Sequence, residues 1–138
     1  MAVRILIVDD HAIIREGIRS VLRDRPQWEI CGEAADGREA VRLAKELNPD
    51  AIILDVTMPI MGGLGAAHEI SRSNPSCRLL IFTMHSSRTL DKFVRQAGAH
   101  GLVAKSEAKR NLVAALEQLL AGETFFTGDG ELETENVN

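Results

Sequence analysis

The sequence predicts an α/β fold, a parallel β-sheet with helices packed on its faces. Two observations carry this. Short strand-like apolar runs alternate along the chain with segments whose apolar residues recur at helical spacing, the pattern of successive βα units. Four of the runs also stop at a polar residue: Val3–Val8 at Asp9 and Asp10, Ala51–Leu54 at Asp55, Leu79–Phe82 at Thr83, and Gly101–Ala104 at Lys105. A chain of 138 residues with 45% hydrophobic and 26% charged residues is one domain with room for a sizeable core.

The elements follow in order. After the first strand, Ile14, Ile18, Val21 and Leu22 recur at helical spacing, and Pro26 closes the segment. Arg15, Arg19 and Arg23 lie four apart on another side and read as a solvated face. Trp28–Ala34 is the second strand, weaker in pattern than the others. Asp36 caps the next helix, and Glu39 three residues on completes a capping-box pattern. Ala40, Val41, Ala44 and Leu47 form its buried stripe, and Asn48-Pro49-Asp50 ends it. The third strand is 51–54. A helix over about 63–73 follows Gly62-Gly63, read as a flexible turn, and stops at Asn74-Pro75. After the fourth strand at 78–82, Leu90, Phe93, Val94 and Ala97 make an apolar stripe that ends at Gly98, suited to a left-handed position. The fifth strand is Gly101–Ala104. Leu112, Ala115, Leu116, Leu119 and Leu120 mark the last helix, stopped at Gly122.

Residues 1–122 are therefore expected to form the domain and residues 123–138 a flexible acidic tail or the start of a linker, with Phe125-Phe126 able to pack back. That tail holds Glu123, Asp129, Glu131, Glu133 and Glu135 and no basic residue. The net charge of −4 thus comes from the tail, and the body, with 16 basic and 15 acidic residues, is nearly neutral. A nearly neutral body does not make a nucleic-acid footprint. No apolar run reaches the ~18 residues of a membrane helix, and the start lacks the layout of a signal peptide, so the expected location is cytoplasmic. Cys31 and Cys77 have no disulfide or metal-ligand spacing and read as reduced thiols. His11, His68, His85 and His100 have no metal spacing either and read as surface or loop residues.

Right-handed crossovers leave few topologies for five βα units. One is the strand order 2-1-3-4-5, which places a ligand site at the switch point between the first and third strands. In that order Asp9 and Asp10 end the strand beside Asp55, Thr83 ends the next, and Lys105 the one beyond. At ~4.8 Å per strand, Lys105 starts ~10 Å from the Asp55 strand, and a lysine stem is long enough to reach back most of that way. Three carboxylates gathered at one edge repel unless a cation or proton joins them. A hard divalent ion such as Mg2+ suits such oxygen donors.

The chain resembles the receiver domain of bacterial two-component response regulators over about residues 3–121. The residues that carry the resemblance are Val8-Asp9-Asp10-His11, Leu54-Asp55-Val56-Thr57-Met58-Pro59, Phe82-Thr83 and Lys105. Val8-Asp9-Asp10-His11 with Arg15-Glu16-Gly17, and Thr83-Met84-His85, are similar to the subclass whose output is a LuxR-type helix-turn-helix. The resemblance implies a flavodoxin-like (βα)5 three-layer sandwich. It implies Asp55 as phosphoacceptor toward a sensor histidine kinase, and Mg2+ held by Asp9, Asp10, Asp55 and the Thr57 carbonyl. Lys105 and Thr83 would contact the phosphoryl group. Such a domain modifies itself, with slow self-dephosphorylation, and is not a turnover enzyme. It also implies a homodimer, and DNA contact only through an output domain following Asn138, with a stand-alone receiver as the alternative.

The sequence departs from the family pattern at three places. Leu102 stands where the family has an aromatic residue three positions before the lysine, so the response is expected from Thr83 and the loop after it. Ser106 stands where proline often follows the lysine; a non-proline cis bond costs ~2.5–4 kcal/mol, so a trans bond is expected. Gly62 replaces an Asp or Asn cap worth ~1 kcal/mol. Two other readings compete. A vestigial receiver would act as an interaction module. A small aspartate-nucleophile phosphatase would want two acids separated by one residue and a cap domain, which Asp9-Asp10 and this chain length do not offer.

Overall fold

The computed structural model describes residues 2–56, 62–84 and 87–126. Six parallel strands form one sheet: β1 (Val3–Val8), β2 (Trp28–Ala34), β3 (Ala51–Leu54), β4 (Arg78–Thr83), β5 (Gly101–Ala104) and β6 (Phe125–Phe126). Their order is β2-β1-β3-β4-β5-β6. This is the flavodoxin-like topology that the sequence predicts, with one short strand added. The helices are α1 (Ala12–Leu22), α2 (Gly37–Leu47), α3 (Gly63–Ser73), α4 (Arg88–Gln96) and α5 (Ala108–Leu120).

Alternation along the strands builds two cores. Leu6, Val8, Ile52, Leu54, Leu79 and Ile81 face α2, α3 and α4, whereas Ile5, Ile7, Ile53, Leu80 and Phe82 face α1 and α5. Successive side chains of a strand point to opposite faces, so a run covered on both sides must be apolar throughout. No helix among the described residues is long and apolar enough to cross a membrane.

The helix ends obey local chemistry. Asp36 caps α2 by accepting a hydrogen bond from the Glu39 amide at 2.8 Å, and Glu39 accepts one from the Ala35 amide at 2.9 Å. The reciprocal bond of the box thus falls one residue earlier than the standard pattern. Asn48 ends α2 in the left-handed region at φ 48°, and Gly98 follows α4 at φ 97°. Gly62 provides no side-chain cap to α3, as its identity requires.

Three expectations are corrected by packing. Helical spacing puts Phe93 in the apolar stripe of α4, yet Phe93 is 52% exposed, while Asp91 is buried. At about 100° per residue, a face centred on Val94 turns Phe93 aside by about 100° and Asp91 by only about 60°. Arg15 and Arg19 do not merely face solvent: Arg15 Nε donates to Glu33 Oε1 at 2.8 Å, and Arg19 pairs with the other oxygen of Glu33. Third, His100, on the bend before β5, is not a free surface residue. Half-buried, it accepts at Nδ1 from the Leu79 amide at 3.0 Å.

Residues after α5 return to the sheet. Phe125 and Phe126 lie in register with Gly101 and Leu102. Arg78 holds this turn, donating to the carbonyls of Leu119 at 2.6 Å and Glu123 at 2.7 Å. The Arg95 guanidinium stacks on the Phe126 ring with 3.8 Å to its centre, tying α4 to β6.

Burial, then Arg78, lowers the His100 pKa below the ordinary imidazole value. Between that lowered value and about 6.5 the unfolded chain binds more protons than the folded one. Stability is therefore complete above this window and falls as pH drops through it. His100→Asn keeps an acceptor for the Leu79 amide without titrating. Its denaturant-derived stability should fall less steeply than wild type below about pH 6.5; parallel curves would contradict the linkage. Burial likewise raises Cys77, pushed up to about 12, and raises Cys31, and both thiols are free. Neither is an activated nucleophile.

Candidate functional site

The strand ends meet as their register dictates. Val8 pairs with Leu54 and Leu54 with Ile81, so Asp9 and Asp55 leave neighbouring strands at the same level. Thr83 pairs with Ala104, the residue before Lys105. Backbone bonds fix the two acids: the Asp9 amide donates to Ala34 at 3.0 Å and the Asp55 amide to Val8 at 3.0 Å. Arg15 Nη1 donates to the Asp9 carbonyl at 2.6 Å, pinning the start of the β1–α1 loop to the helix.

Both acids are 1% exposed. The Lys105 side chain, 9% exposed, crosses two strands to reach them: its Nζ lies 2.8 Å from Asp9 Oδ2 and 3.6 Å from Asp55 Oδ2. The lysine thus passes the Asp55 strand and makes its shorter contact with Asp9. Thr83 is buried at the end of β4, on the strand between them. Asp10 is half-buried at the rim. Its Oδ1 accepts no hydrogen bond among the described residues. Thr57 and His85 lie outside the described residues. The Lys105–Ser106 bond is trans, as are all the described peptide bonds.

The donor set fits a hard divalent cation. Carboxylate oxygens of Asp9, Asp10 and Asp55 and a ring nitrogen of His11 all lie within 4.8 Å of one another. Three carboxylates face one ammonium, so two negative charges remain for a cation to offset. Asp9 Oδ2 is paired with the Lys105 ammonium at 2.8 Å, whereas Asp10 Oδ1 is left for another partner.

The sequence reading missed two residues here. His11 follows the acid pair and turns its Nδ1 toward them; its adjacency to Asp9-Asp10 was the available signal. Gly63 was read as part of a flexible turn. A Cβ on it would lie 2.1 Å from the Asp55 carbonyl oxygen and 2.4 Å from the Val56 Cα. The residue must be glycine because the start of α3 rests against the backbone of the candidate acceptor.

Comparisons with known proteins agree with the geometry. The model of the response regulator receiver domain matches residues 5–117. The response regulator UvrY of Escherichia coli K12 is 34% identical over 127 residues, which cover 92% of this chain and 58% of that protein. The response regulator GacA of Pseudomonas aeruginosa is 34% identical over 125 residues, covering 91% of this chain and 58% of that protein. This chain therefore spans little more than half the length of these relatives. Among solved structures, a LuxR-family two-component response regulator from Aurantimonas sp. SI85-9A1 superposes with a TM-score of 0.91 at 40% identity, covering 100% of both chains. The isolated receiver domain of RcsB from Salmonella enterica serovar Typhimurium, solved with a phosphomimetic, gives a TM-score of 0.83 at 27% identity, over 91% of this chain and 94% of that one. With a matching family model over most of its length, and the acids and lysine assembled at one sheet edge, the chain belongs to the response regulator receiver domains of two-component systems.

Proposed function

We propose that Asp55 is the phosphoacceptor of this receiver, with Asp9 and Asp10 as its metal-binding partners. The observation that carries this is the reach of Lys105 across two strands to Asp9 and Asp55. A buried ammonium held against two carboxylates is positioned to meet a third anionic group placed between them. In this reading an Asp55 oxygen attacks the phosphorus of a phosphohistidine on a sensor kinase. The new O–P bond forms as the P–N bond breaks, and the leaving imidazole keeps the bonding electron pair. Lys105 then pairs with one phosphoryl oxygen and Thr83 donates its hydroxyl proton to another. Mg2+ held by Asp9, Asp10, Asp55 and the Thr57 carbonyl would offset charge on the transferring group.

The added phosphoryl charge draws Thr83 and Lys105 inward and biases the segment after β4 between two states. At the position of the family's aromatic switch, Leu102 is buried against β6. That leaves the response to Thr83 and the loop beyond it. For the longer protein the relatives imply, we propose a cytoplasmic transcription regulator with a helix-turn-helix output that dimerises on phosphorylation. Sedimentation with and without phosphodonor tests the dimer.

The test of the acceptor reading is intact mass after incubation with phosphoramidate or acetyl phosphate. One phosphoryl group per chain is expected with Mg2+ and none with chelator. No uptake in either condition would favour a vestigial interaction module, and continuous release of phosphate a phosphatase. A thermal melt should also rise with millimolar Mg2+ in wild type and stay flat in Asp10→Ala, since a ligand that binds only the folded state stabilises it by mass action.

A further inference from the structure

His11 stands at the N-cap of α1, a position that favours a short side chain able to accept from the first turn. Its imidazole makes no capping hydrogen bond. The ring is 61% exposed, so water could satisfy either nitrogen. Instead Nδ1 turns inward, 3.2 Å from Asp9 Oδ1 and 3.1 Å from Asp10 Oδ1. The His11 amide also donates to Asp9 Oδ1 at 2.9 Å, which holds the residue over the acids.

In this structure the two Nδ1 separations are the lengths of a hydrogen bond and an ion-pair contact, and they equally match the separations of neighbouring ligands on one cation once Nδ1 carries no proton. With bonds of about 2.1 Å, adjacent donors of an octahedron stand about 3 Å apart. We propose that His11 Nδ1 is a direct ligand of the divalent cation held by Asp9, Asp10 and Asp55. A nitrogen donor changes which ions the site favours. Mg2+ prefers oxygen and gains little from imidazole, whereas ions such as Ni2+ gain much. The site therefore leans toward nitrogen-accepting transition ions more than an all-oxygen acidic cluster does. This inference rests on the metal site proposed above.

The experiment uses tag-free protein, in wild type, His11→Gln and Asp10→Asn. Calorimetry gives the dissociation constants of Mg2+ and Ni2+ at fixed pH. Pulsed electron paramagnetic resonance of the Mn2+ form reads directly whether a 14N nucleus is bound. The expected result is a Ni2+-over-Mg2+ preference that falls about tenfold in His11→Gln, with a 14N coupling present in wild type and lost in the variant. Asp10→Asn should weaken both ions. Binding of both ions with an unchanged preference and no 14N coupling would overturn the role of His11 while leaving the acidic site standing. Failure of wild type to bind either ion at millimolar concentration would overturn the site itself, and His11 with it.

Discussion

Asp55→Asn should take up no phosphoryl group under conditions that label wild type to one per chain. Asparagine has nearly the same shape, so the packing of a site that is 1% exposed survives the change. What it lacks is the nucleophile: the oxygen of a neutral amide carries less charge than a carboxylate oxygen and forms no stable phosphoryl adduct. The substitution also removes one of three clustered negative charges. Like charges held together raise the free energy of the folded state. The variant should therefore melt at or above the temperature of wild type in metal-free buffer. This combination, complete loss of label with undiminished stability, separates a chemical role from a structural one. Equal labelling of both proteins would move the acceptor elsewhere, Asp9 and Asp10 being the nearest carboxylates. Lost label accompanied by a large fall in melting temperature would instead mean that Asp55 mainly holds the sheet edge together.

The second large effect is expected at Gly63, eight residues after Asp55 and itself without a reactive group. An alanine Cβ there would meet the Asp55 carbonyl oxygen at 2.1 Å and the Val56 Cα at 2.4 Å. Both are backbone atoms and cannot rotate aside as a side chain can. The start of α3 or the end of β3 must move instead. Overpacking of this kind costs about 1–3 kcal/mol, and more where the backbone resists. Because the atoms displaced belong to Asp55, phosphoryl uptake should slow along with the loss of stability. Gly62→Ala is the control. Its Cβ would have Val56 O at 3.8 Å as its nearest neighbour, an ordinary contact. Urea unfolding should show Gly63→Ala well below wild type and Gly62→Ala close to it. Equal stability of the two variants would show that α3 does not bear on the acceptor as closely as described.

The first five strands and the helices were legible in the sequence because each rests on local signals, whereas the strand order was one of the few that right-handed crossovers allow and the one the family resemblance implies. A continuous apolar run states that both faces of a strand are covered, and the polar residue after it states where the cover ends. Asp36 with Glu39, Gly98 and Gly122 mark helix ends through their own backbone chemistry, and each marks its helix end in the structure. The candidate acids and the lysine were legible because they follow strand ends, and the order 2-1-3-4-5 sets those ends side by side.

Other features depend on partners distant in the chain, and periodicity carries no record of them. The face of α4 that turns inward is set by where α3 and β5 leave room, so Asp91 is buried and Phe93 is not. Arg15 and Arg19 find Glu33 only because β2 lies beside β1 at the sheet edge. Phe125 and Phe126 become a strand because β5 offers them an unpaired edge and Arg95 a surface to stack on. The sequence by itself determined which residue types reach the site edge, since that follows from hydrophobic runs and their ends. Only the tertiary structure decided that Lys105 passes Asp55 to meet Asp9, that His11 turns toward the acids, and that Gly63 leaves room for the Asp55 carbonyl. Those are distances between atoms on different elements, fixed to a few tenths of an ångström by close packing rather than by any property of the residues alone.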